Sequence, residues 1–308
     1  EMFAIVLFDL NAKKVMAYRD PLGVKPLFIA KDAEERIHFA SEAKQLIPIS
    51  NSIQEIPPGH YYCNGKITHY YSLPIHSQNI STADAIFSIQ KVMDEAVAKR
   101  ISPNEKIGIF FSGGIDSTAV LATVWKYSKN IITIICGTPT AEDRIFATQY
   151  CAENAIPYVI VEPHNPTLND VEKLIYHLET NEVNAIRHGW INYLVAQKAH
   201  QLGLKIVLCG EGADELFAGY NEFLGMNEPH VEAGTELLVR NLHRSQLRRA
   251  DRIGMAHTIE VRCPFLDQKM ISIALSIPGR MKIKGKTTKA ILRRAMLDRL
   301  PLSIAWRN

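Results

Sequence analysis

A short loop of serines, glycines and one aspartate stands directly after an apolar run. Residues 112–117 read S-G-G-I-D-S, and residues 107–111 before them read I-G-I-F-F. A buried strand that turns through two glycines into a helix leaves unpaired backbone N–H groups and the positive end of the helix dipole at one point. Such a point binds phosphate, and Gly113 and Gly114 let the backbone approach the anion while Ser112 and Ser117 add hydroxyl donors. The loop therefore predicts an anion site.

Asp116 lies in the middle of this loop and would repel a phosphate. Its presence predicts a Mg²⁺ ion between the carboxylate and the phosphate oxygens. The loop lacks the G-K-[ST] ending of a Walker A motif, which argues against transfer of a terminal phosphoryl group. It resembles the pyrophosphate loop of the N-type ATP pyrophosphatases, which cleave ATP between the α and β phosphates and adenylate a substrate. The alternative is an N-capped helix after a strand, with no ligand.

A second group of chemical residues follows another apolar run. Residues 205–209 read K-I-V-L-C and residues 210–220 read G-E-G-A-D-E-L-F-A-G-Y. Glu211, Asp214 and Glu215 would lie in the crevice beyond a strand end, where open α/β sheets bind ligands. Carboxylates this close together are ionised at low cost only around a cation. We expect metal-binding and acyl-transfer roles here, although Asp214 could instead cap the following helix.

The apolar pattern after residue 81 predicts the strands and helices that position these two loops. Ser81 predicts the start of an amphipathic helix that runs to about Arg100. After it, apolar strands alternate with helices, which predicts a doubly wound parallel sheet. The predicted strands are residues 106–111, 131–136, 158–161 and 205–209; the predicted helices are 116–127, 142–154, 168–179 and 190–202. Residues 235–308 read as mostly helical.

The first seventy residues have a different pattern of apolar runs and turns. Short apolar runs at residues 2–10, 14–18, 26–30, 36–40 and 53–62 are separated by turns, and Gly65 predicts a final hairpin. Ser41 is expected to cap a short helical turn. The pattern predicts one antiparallel sheet with little helix. Residues 72–82 are the expected linker, so we predict domains over residues 1–75 and 76–308.

Composition excludes several classes of protein. The chain has 308 residues, an apolar share of 47% and a net charge of +3, which is too weak to favour nucleic acid or an anionic membrane as a partner. Its five cysteines contain no C-x-x-C pair, so we expect reduced thiols in a cytoplasmic protein and no zinc site. The apolar runs are far shorter than the roughly 20 residues of a membrane span.

Four segments together resemble one family. Residues 111–117, 210–220, 259–267 (I-E-V-R-C-P-F-L-D) and 285–293 (G-K-T-T-K-A-I-L-R) look like the synthetase domain of glutamine-dependent asparagine synthetases, in the same order. Residues 2–4, 19–27, 39–44 and 57–59 are similar to the C-terminal part of the Ntn-hydrolase glutaminase of that family. The resemblance implies an α/β synthetase domain with an adenine-nucleotide α-hydrolase-like parallel sheet, plus an antiparallel β-rich glutaminase remnant.

The resemblance also implies a reaction and its residues. A carboxylate, aspartate in the family, is activated as an acyl-AMP with release of pyrophosphate, and ammonia from glutamine then attacks it. Glu211, Lys289 on a helix, and Glu260 are the implied catalytic residues, although Glu260 could instead be an ion-pair partner of Arg262. ATP and Mg²⁺ are the implied cofactors, with Asp116 and Asp214 on the metal. The implied nucleotide contacts are Phe111, Ser112, Gly113, Gly114, Asp116, Ser117, Cys136, Cys209 and Gly210. A homodimer is compatible with these features.

Two segments depart from the family pattern. No cysteine stands where the glutaminase nucleophile is expected, so we expect the chain as printed not to hydrolyse glutamine, with the remaining part of that domain belonging to the full protein. Residues 186–193, expected near the amino-acid substrate, read I-R-H-G-W-I-N-Y instead of a run of small residues. His188 is either a substrate neighbour or a surface residue, and Trp190 either lines the site or belongs to the core. Because of these departures, three alternatives stay open: the substrate is another carboxylate, the product is a lactam, or the enzyme uses free ammonia.

Two other functions compete with the amide ligase. A tRNA-modifying or nucleotide-amidating pyrophosphatase could use the same phosphate loop, but the chain lacks C-x-x-C and carries the glutaminase-like segment. A non-catalytic scaffold would be expected to lose the acidic loop, and Glu211 and Asp214 are present. The basic residues between Arg280 and Arg294 are expected to be mostly a solvated helix face, apart from Lys289.

Overall fold

The computed structural model of this chain describes residues 2–74 and 80–307. The predicted domain boundary between residues 75 and 76 and the middle of the predicted linker lie outside the described residues.

Within residues 2–74, seven short strands form two antiparallel sheets. The strands are β1 (Ala4–Asp9), β2 (Lys14–Arg19), β3 (Phe28–Lys31), β4 (Ile37–Ala40), β5 (Ile53–Glu55), β6 (His60–Cys63) and β7 (Lys66–His69). Their orders are β1-β2-β6-β7 and β4-β3-β5, so the single predicted sheet was wrong. The predicted run over residues 53–62 is divided at Pro57 and Pro58, which lack the N–H that a strand ladder needs. A 3-10 turn over Ala43–Gln45 is capped by Glu42 without a side-chain hydrogen bond, so the predicted Ser41 cap was also wrong.

Strand β1 is apolar and yet largely exposed. Ile5 is 41% exposed and Phe8 is 60% exposed, and these two residues point to opposite sides of the strand because their positions differ by an odd number. Only β2 pairs with β1 among the described strands, so one edge of β1 is free. Strand β1 therefore offers apolar surface on both faces beside an unpaired edge.

Five parallel strands form the central sheet of the rest of the chain. They are β8 (Ile107–Phe110), β9 (Ile131–Cys136), β10 (Tyr158–Val161), β11 (Ile206–Leu208) and β12 (Glu260–Arg262), in the order β10-β9-β8-β11-β12. All neighbouring pairs are parallel, which confirms the predicted doubly wound α/β class. Strand β12 was not predicted. The strand order reverses at β8, and an open α/β sheet binds its ligand at such a point.

Helices cover both faces of this sheet. They are α1 (Thr82–Ala98), α2 (Ile115–Tyr127), α3 (Glu142–Glu153), α4 (Leu168–Leu178), α5 (Val183–Gln201), α6 (Ala213–Phe217), α7 (Glu228–Asn241), α8 (Gln246–Ala256), α9 (Gln268–Ser276), α10 (Gly279–Lys282), α11 (Ala290–Ala295) and α12 (Leu302–Ala305). The hydroxyl of Ser81 accepts from the N–H of Asp84 and caps α1 as predicted. Helix α5 begins at Val183 and not at residue 190, because the carboxylate of Glu182 caps it there. Within the described residues, no helix has the length and hydropathy of a membrane span.

Helix α8 connects the two parts of the chain. Three ion pairs join it to the first part: Arg248 with Glu55, Asp251 with Lys25, and Arg252 with Glu42. The Lys25–Asp251 pair measures 2.7 Å, and the side chain of Arg252 is only 3% exposed. Pairs this well covered are screened less by solvent than exposed ones. The same helix borders the pocket described below.

Most basic residues between Arg280 and Arg294 are exposed, as predicted, namely Arg280, Lys284, Lys286 and Arg294, whereas three others are buried. Lys282, Lys289 and Arg293 are 1%, 7% and 8% exposed. Lys282 lies at the end of α10, where its ammonium donates to the hydroxyl of Thr235 at 3.4 Å. Burial lowers the pKa of Lys282 to about 7.

We expect Lys282→Met to raise the free energy of unfolding. A buried ammonium with one long hydrogen bond costs more than a buried thioether, and the Thr235 hydroxyl keeps its bond to the Glu232 carbonyl. Because the folded pKa lies below that of a free lysine, about 10.4, the unfolded chain binds an extra proton between pH ~7 and ~10. Stability of the parent protein therefore rises with pH across this window, and the variant lacks that rise.

Urea unfolding at pH 6.5 and pH 9.5 measures the effect. The advantage of Lys282→Met should be larger at pH 6.5, and Lys286→Met, which removes an exposed lysine nearby, should change little at either pH. An advantage that grows with pH would contradict the assignment.

Candidate active site

The loop after β8 and the first turn of α2 form a compact group of hydrogen-bond donors. The hydroxyls of Ser112 and Ser117 lie 3.0 Å apart, and the N–H of Gly114 donates to the Ser112 hydroxyl at 3.3 Å. Gly113 has φ +79°, a conformation that favours glycine. The N–H groups in the first turn of α2 have no partner within the helix. The serines thus fix the loop while the helix end stays available to an anion.

The second loop, after β11, lies directly against the first. A Cβ atom added to Gly210 would lie 2.9 Å from the Cβ of Asp116 and 2.9 Å from the backbone nitrogen of Ser117. Real Cβ atoms do not approach other atoms this closely, so only glycine allows the two loops to touch. The sequence places the two motifs at separate strand ends, and the structure brings them together.

Lys289 bridges the two predicted metal carboxylates. Its ammonium lies 2.6 Å from Asp116 Oδ2 and 2.6 Å from Asp214 Oδ1, and its side chain is 8% exposed. Burial raises the pKa of Asp116 to about 6, and Lys289 opposes that rise. Burial alone would lower the pKa of Lys289, but the two carboxylates raise it above its ordinary value. The other oxygen of Asp116, Oδ1, is buried and has no hydrogen-bond partner among the described residues.

The backbone at Lys289 differs from the prediction of a helical position. Lys289 is the N-cap residue of α11, with φ 53° and ψ 29°, so it stands just before the helix in a left-handed conformation. A non-glycine residue in that region carries a conformational cost. The paired carboxylates compensate for this cost by holding the side chain.

Glu211 has its own cationic partner. Arg249 on α8 lies 3.0 Å from Glu211 Oε1, and the Nε atom of Arg249 is buried with no hydrogen-bond partner among the described residues. Arg249 was not singled out from the sequence, where it is one of several arginines between residues 244 and 252. Its side chain leaves one donor free beside the acidic loop.

Glu215 is separate from the other two carboxylates of the acidic loop. It is 2% exposed, and it accepts hydrogen bonds from the Tyr220 hydroxyl and from Gln246 Nε2. Burial raises its pKa to about 7. The expectation that a single cation must hold all three carboxylates is therefore corrected, since each of them has a different protein partner.

A pocket of about 290 Å³ lies above these loops, close to the lower end of the range for small-molecule sites. Its lining divides into two chemical parts. The apolar part includes Phe110, Phe111, Ile134, Cys136, Val195, Ile253 and Val261; the polar part includes Ser112, Asp116, Ser117, Glu211 and Asp214; Cys209 and Gly210 lie in the wall. A flat apolar group could bind in the first part, and a polyanion could bind beside it where a cation balances the carboxylates of the second part.

Glu260 is not among the residues that line this pocket. It precedes Val261, which lines the pocket, and successive side chains of a strand point to opposite faces. Its carboxylate accepts from Arg262 Nε at 2.8 Å, and Arg262 also donates to the Arg100 carbonyl at 2.7 Å. The structure favours the ion-pair alternative over the predicted catalytic role.

Residues 186–193, which differ from the family pattern, all lie on helix α5, and the helix determines which of them face the pocket. Trp190 is 7% exposed, stacks on Tyr193 and donates to the His164 carbonyl at 2.6 Å. His188 is exposed at the surface. The residues of α5 that line the pocket include Ile191 and Asn192. Trp190 is therefore core, and the pocket-facing positions are its neighbours.

Comparison with known proteins gives two family matches. A family described as asparagine synthase matches residues 88–229 and 224–308, and one described as a glutamine amidotransferase domain matches residues 1–81.

Curated relatives match along nearly the whole chain. The chain is 31% identical to the glutamine-hydrolysing asparagine synthetase B of Escherichia coli, covering 100% of this chain and 59% of the relative. It is 31% identical to the human glutamine-hydrolysing asparagine synthetase, covering 99% and 62%. The chain thus spans about three-fifths of the length of these relatives. Among solved structures, an NH3-dependent NAD synthetase from Campylobacter jejuni aligns with 54% of this chain and 76% of its own, at 17% identity and a TM-score of 0.32.

Proposed function

Because this chain belongs to the asparagine synthase family, we propose that it contains the synthetase part of an ATP-dependent, AMP-forming amide ligase. The match confirms the resemblance seen in the motifs, and together with the parallel sheet it confirms the predicted N-type ATP pyrophosphatase class of fold. One observation carries the proposal. Two strand-end loops touch at Gly210 and Asp116, below a pocket that is apolar in one part and lined by serine hydroxyls and carboxylates in the other.

The proposed nucleotide site uses both parts of the pocket. The apolar part would hold the adenosine, and the loop between β8 and α2 would hold the phosphates through N–H groups and hydroxyls. We assign Phe111 and Cys136 to the adenosine, Ser112, Gly113, Gly114 and Ser117 to the phosphates, and Cys209 with Gly210 to the wall along the nucleotide. These assignments follow the resemblance to the family, and the pocket lining supports them for all of these residues except Gly113 and Gly114, which belong to the adjoining loop.

A Mg²⁺ ion fits the acidic residues of this site. No group of three metal-ligating side chains occurs within residues 2–74 and 80–307, but magnesium is commonly held by one or two carboxylates plus substrate phosphates. The unpartnered Oδ1 of Asp116 and the carboxylate of Asp214 are the oxygens we propose for it. When bound, the ion would neutralise charge on the phosphate oxygens.

The remaining charged groups suit attack on the α phosphate. A substrate carboxylate that attacks this phosphorus spreads negative charge over it, and fixed cations stabilise such charge. Lys289 keeps its proton because two carboxylates hold it, so we propose it as that cation. We propose that Glu211, fixed by Arg249, orients the acyl-adenylate for attack by ammonia. Glu260 has no part in this proposal.

The first part of the chain points to the source of ammonia. We propose that residues 1–75, which lie within the amidotransferase match over residues 1–81, belong to a domain that releases ammonia from glutamine, and that the second domain begins at residue 76. Exposed β1 is the surface against which we expect the rest of such a domain to pack. A cytoplasmic location and a homodimer are proposals that rest on composition and on the resemblance, and light scattering would test the second.

We expect the purified protein with Mg²⁺-ATP, aspartate and an ammonium salt to release pyrophosphate and form asparagine in equal amounts. Pyrophosphate is measured with a coupled assay and asparagine by mass spectrometry. Ammonium replaces glutamine, so the synthetase chemistry is tested separately from any amidotransferase.

The substrate and the mechanism can fail separately. Pyrophosphate release with another carboxylate but not with aspartate would reject aspartate while keeping the adenylating mechanism. Orthophosphate as the direct product of ATP would reject both.

A further inference from the structure

Two of the five cysteines meet beside the pocket. The sulfur atoms of Cys209 and Cys263 lie 3.5 Å apart, and the two residues are 6% and 2% exposed. They are 54 positions apart in the chain, so their spacing gave no sign of the pair. Cys209 follows β11 and Cys263 follows β12, and all five cysteines are free thiols.

The pairing of β11 with β12 places the two cysteines opposite each other at the ends of neighbouring strands. Strands β11 and β12 pair in parallel with Leu208 opposite Arg262, and the N–H of Cys209 donates to the Arg262 carbonyl at 3.1 Å. Neighbouring strands lie ~4.8 Å apart, and disulfides join Cα atoms ~4.4–6.8 Å apart. The two side chains can therefore bond without a large shift of either strand.

The two cysteines lie where the surrounding backbone is tightly packed. Cys209 is in the pocket wall, and the next residue, Gly210, contacts Asp116 and the start of α2. Drawing the sulfur of Cys209 toward Cys263 pulls on the peptide that separates it from Gly210. Because the interior is close-packed, that pull is transmitted to the phosphate loop.

We propose that Cys209 and Cys263 form a dithiol site in the pocket wall, which a two-electron oxidant converts to a disulfide that weakens nucleotide binding. With hydrogen peroxide, the two thiols lose two protons and two electrons as the S–S bond forms, and the O–O bond accepts them and breaks to give two molecules of water. A dithiol reductant reverses the change. The effect on the nucleotide rests on the proposed function, whereas the disulfide itself does not.

The environment of the pair sets its reactivity. The hydrogen bond to Cys263 and burial raise the pKa of Cys209 well above its ordinary value. Thiolate is the reacting form, so the pair is stable under reducing conditions and oxidises slowly at neutral pH. The test therefore uses long incubation and follows the reaction by mass.

The experiment treats the folded protein with hydrogen peroxide, blocks remaining thiols with N-ethylmaleimide, and maps peptides without reduction. We expect a peptide linked through Cys209 and Cys263, reversed by dithiothreitol. Titration calorimetry with Mg²⁺-ATP should show an affinity at least ~10-fold lower after oxidation, restored by reduction. Cys263→Ala should give no such linkage and should keep its ATP affinity through the same treatment.

Cys151→Ala is the matched control, since Cys151 is also buried but bonds to Thr133 in place of a second thiol. It should behave as the parent protein does. Absence of the linked peptide would overturn the dithiol site, and an equal loss of affinity in Cys263→Ala would overturn the link to the pocket. A linked peptide in a protein that binds no ATP before oxidation would keep the dithiol site and reject the proposed function.

Discussion

Replacing Asp116 by asparagine is expected to lower pyrophosphate release at least ~100-fold without unfolding the protein. Removing one charged group that stabilises a reacting centre commonly costs a factor of this size. Asp116 is expected to contribute to Mg²⁺ binding and to hold Lys289, whose ammonium is 2.6 Å away. Asparagine has the same shape but neither a negative charge nor the full affinity of a carboxylate for a divalent ion.

The same substitution should cost little stability. Burial raises the pKa of Asp116 to about 6, which indicates that the folded protein disfavours its charge. Lys289 would keep its second partner, Asp214. We expect the melting temperature to stay within a few degrees of the parent value.

Circular dichroism and the pyrophosphate assay together check this prediction. Asp298→Asn, which removes a carboxylate that is 54% exposed, is the control and should retain full activity. Normal turnover of Asp116→Asn would contradict the proposed metal site. A large loss of stability would show that Asp116 acts mainly as a structural ion-pair partner.

Gly219→Ala is expected to have an effect of similar size through geometry alone. A Cβ atom at this position would overlap the carboxylate of Asp214 and the side chain of Lys289. Both side chains must then shift, so the cation and one proposed metal carboxylate leave their positions. We expect at least ~100-fold slower pyrophosphate release and a loss of ~1–3 kcal/mol in the free energy of unfolding, as in other overpacked sites.

Gly65→Ala gives a control with a comparable cost in stability. Gly65 has φ +82° and nothing within 4 Å of an added Cβ, so alanine there costs ~1 kcal/mol through the backbone alone. It should leave pyrophosphate release unchanged. If Gly219→Ala retained full activity while Asp116→Asn lost it, the position of Lys289 would not matter for the reaction.

The elements of the central sheet could be predicted from the sequence because their signals are local. The strand over Ile131–Cys136 and the one over Tyr158–Val161 occur at the predicted residues, since each is an apolar run bounded by polar turns. Strand β12 was missed because three residues are too few to show alternation. The start of α5 was missed because its cap is a glutamate, an uncommon residue in that role.

The candidate site could be predicted only in part, because its groups meet through the fold. Each loop has a recognisable motif, but the contact between Gly210 and Asp116 depends on the order of β8 and β11 in the sheet. Lys289 lies 173 residues from Asp116, and its left-handed backbone has no sequence signal when the residue is a lysine. The two alternatives for Glu260 could not be separated from the sequence, because one residue of register decides which face of a strand borders the pocket.

Helix α8 gives the chain a property that neither of its parts has alone. The same eleven residues hold ion pairs to Lys25, Glu42 and Glu55, and supply Arg249, Ala250 and Ile253 to the pocket region. Free-energy coupling between two sites is reciprocal. We therefore expect a ligand that restricts the motion of α8 to slow amide hydrogen exchange in the first sheets, and we expect substitutions that loosen those sheets to weaken binding of that ligand.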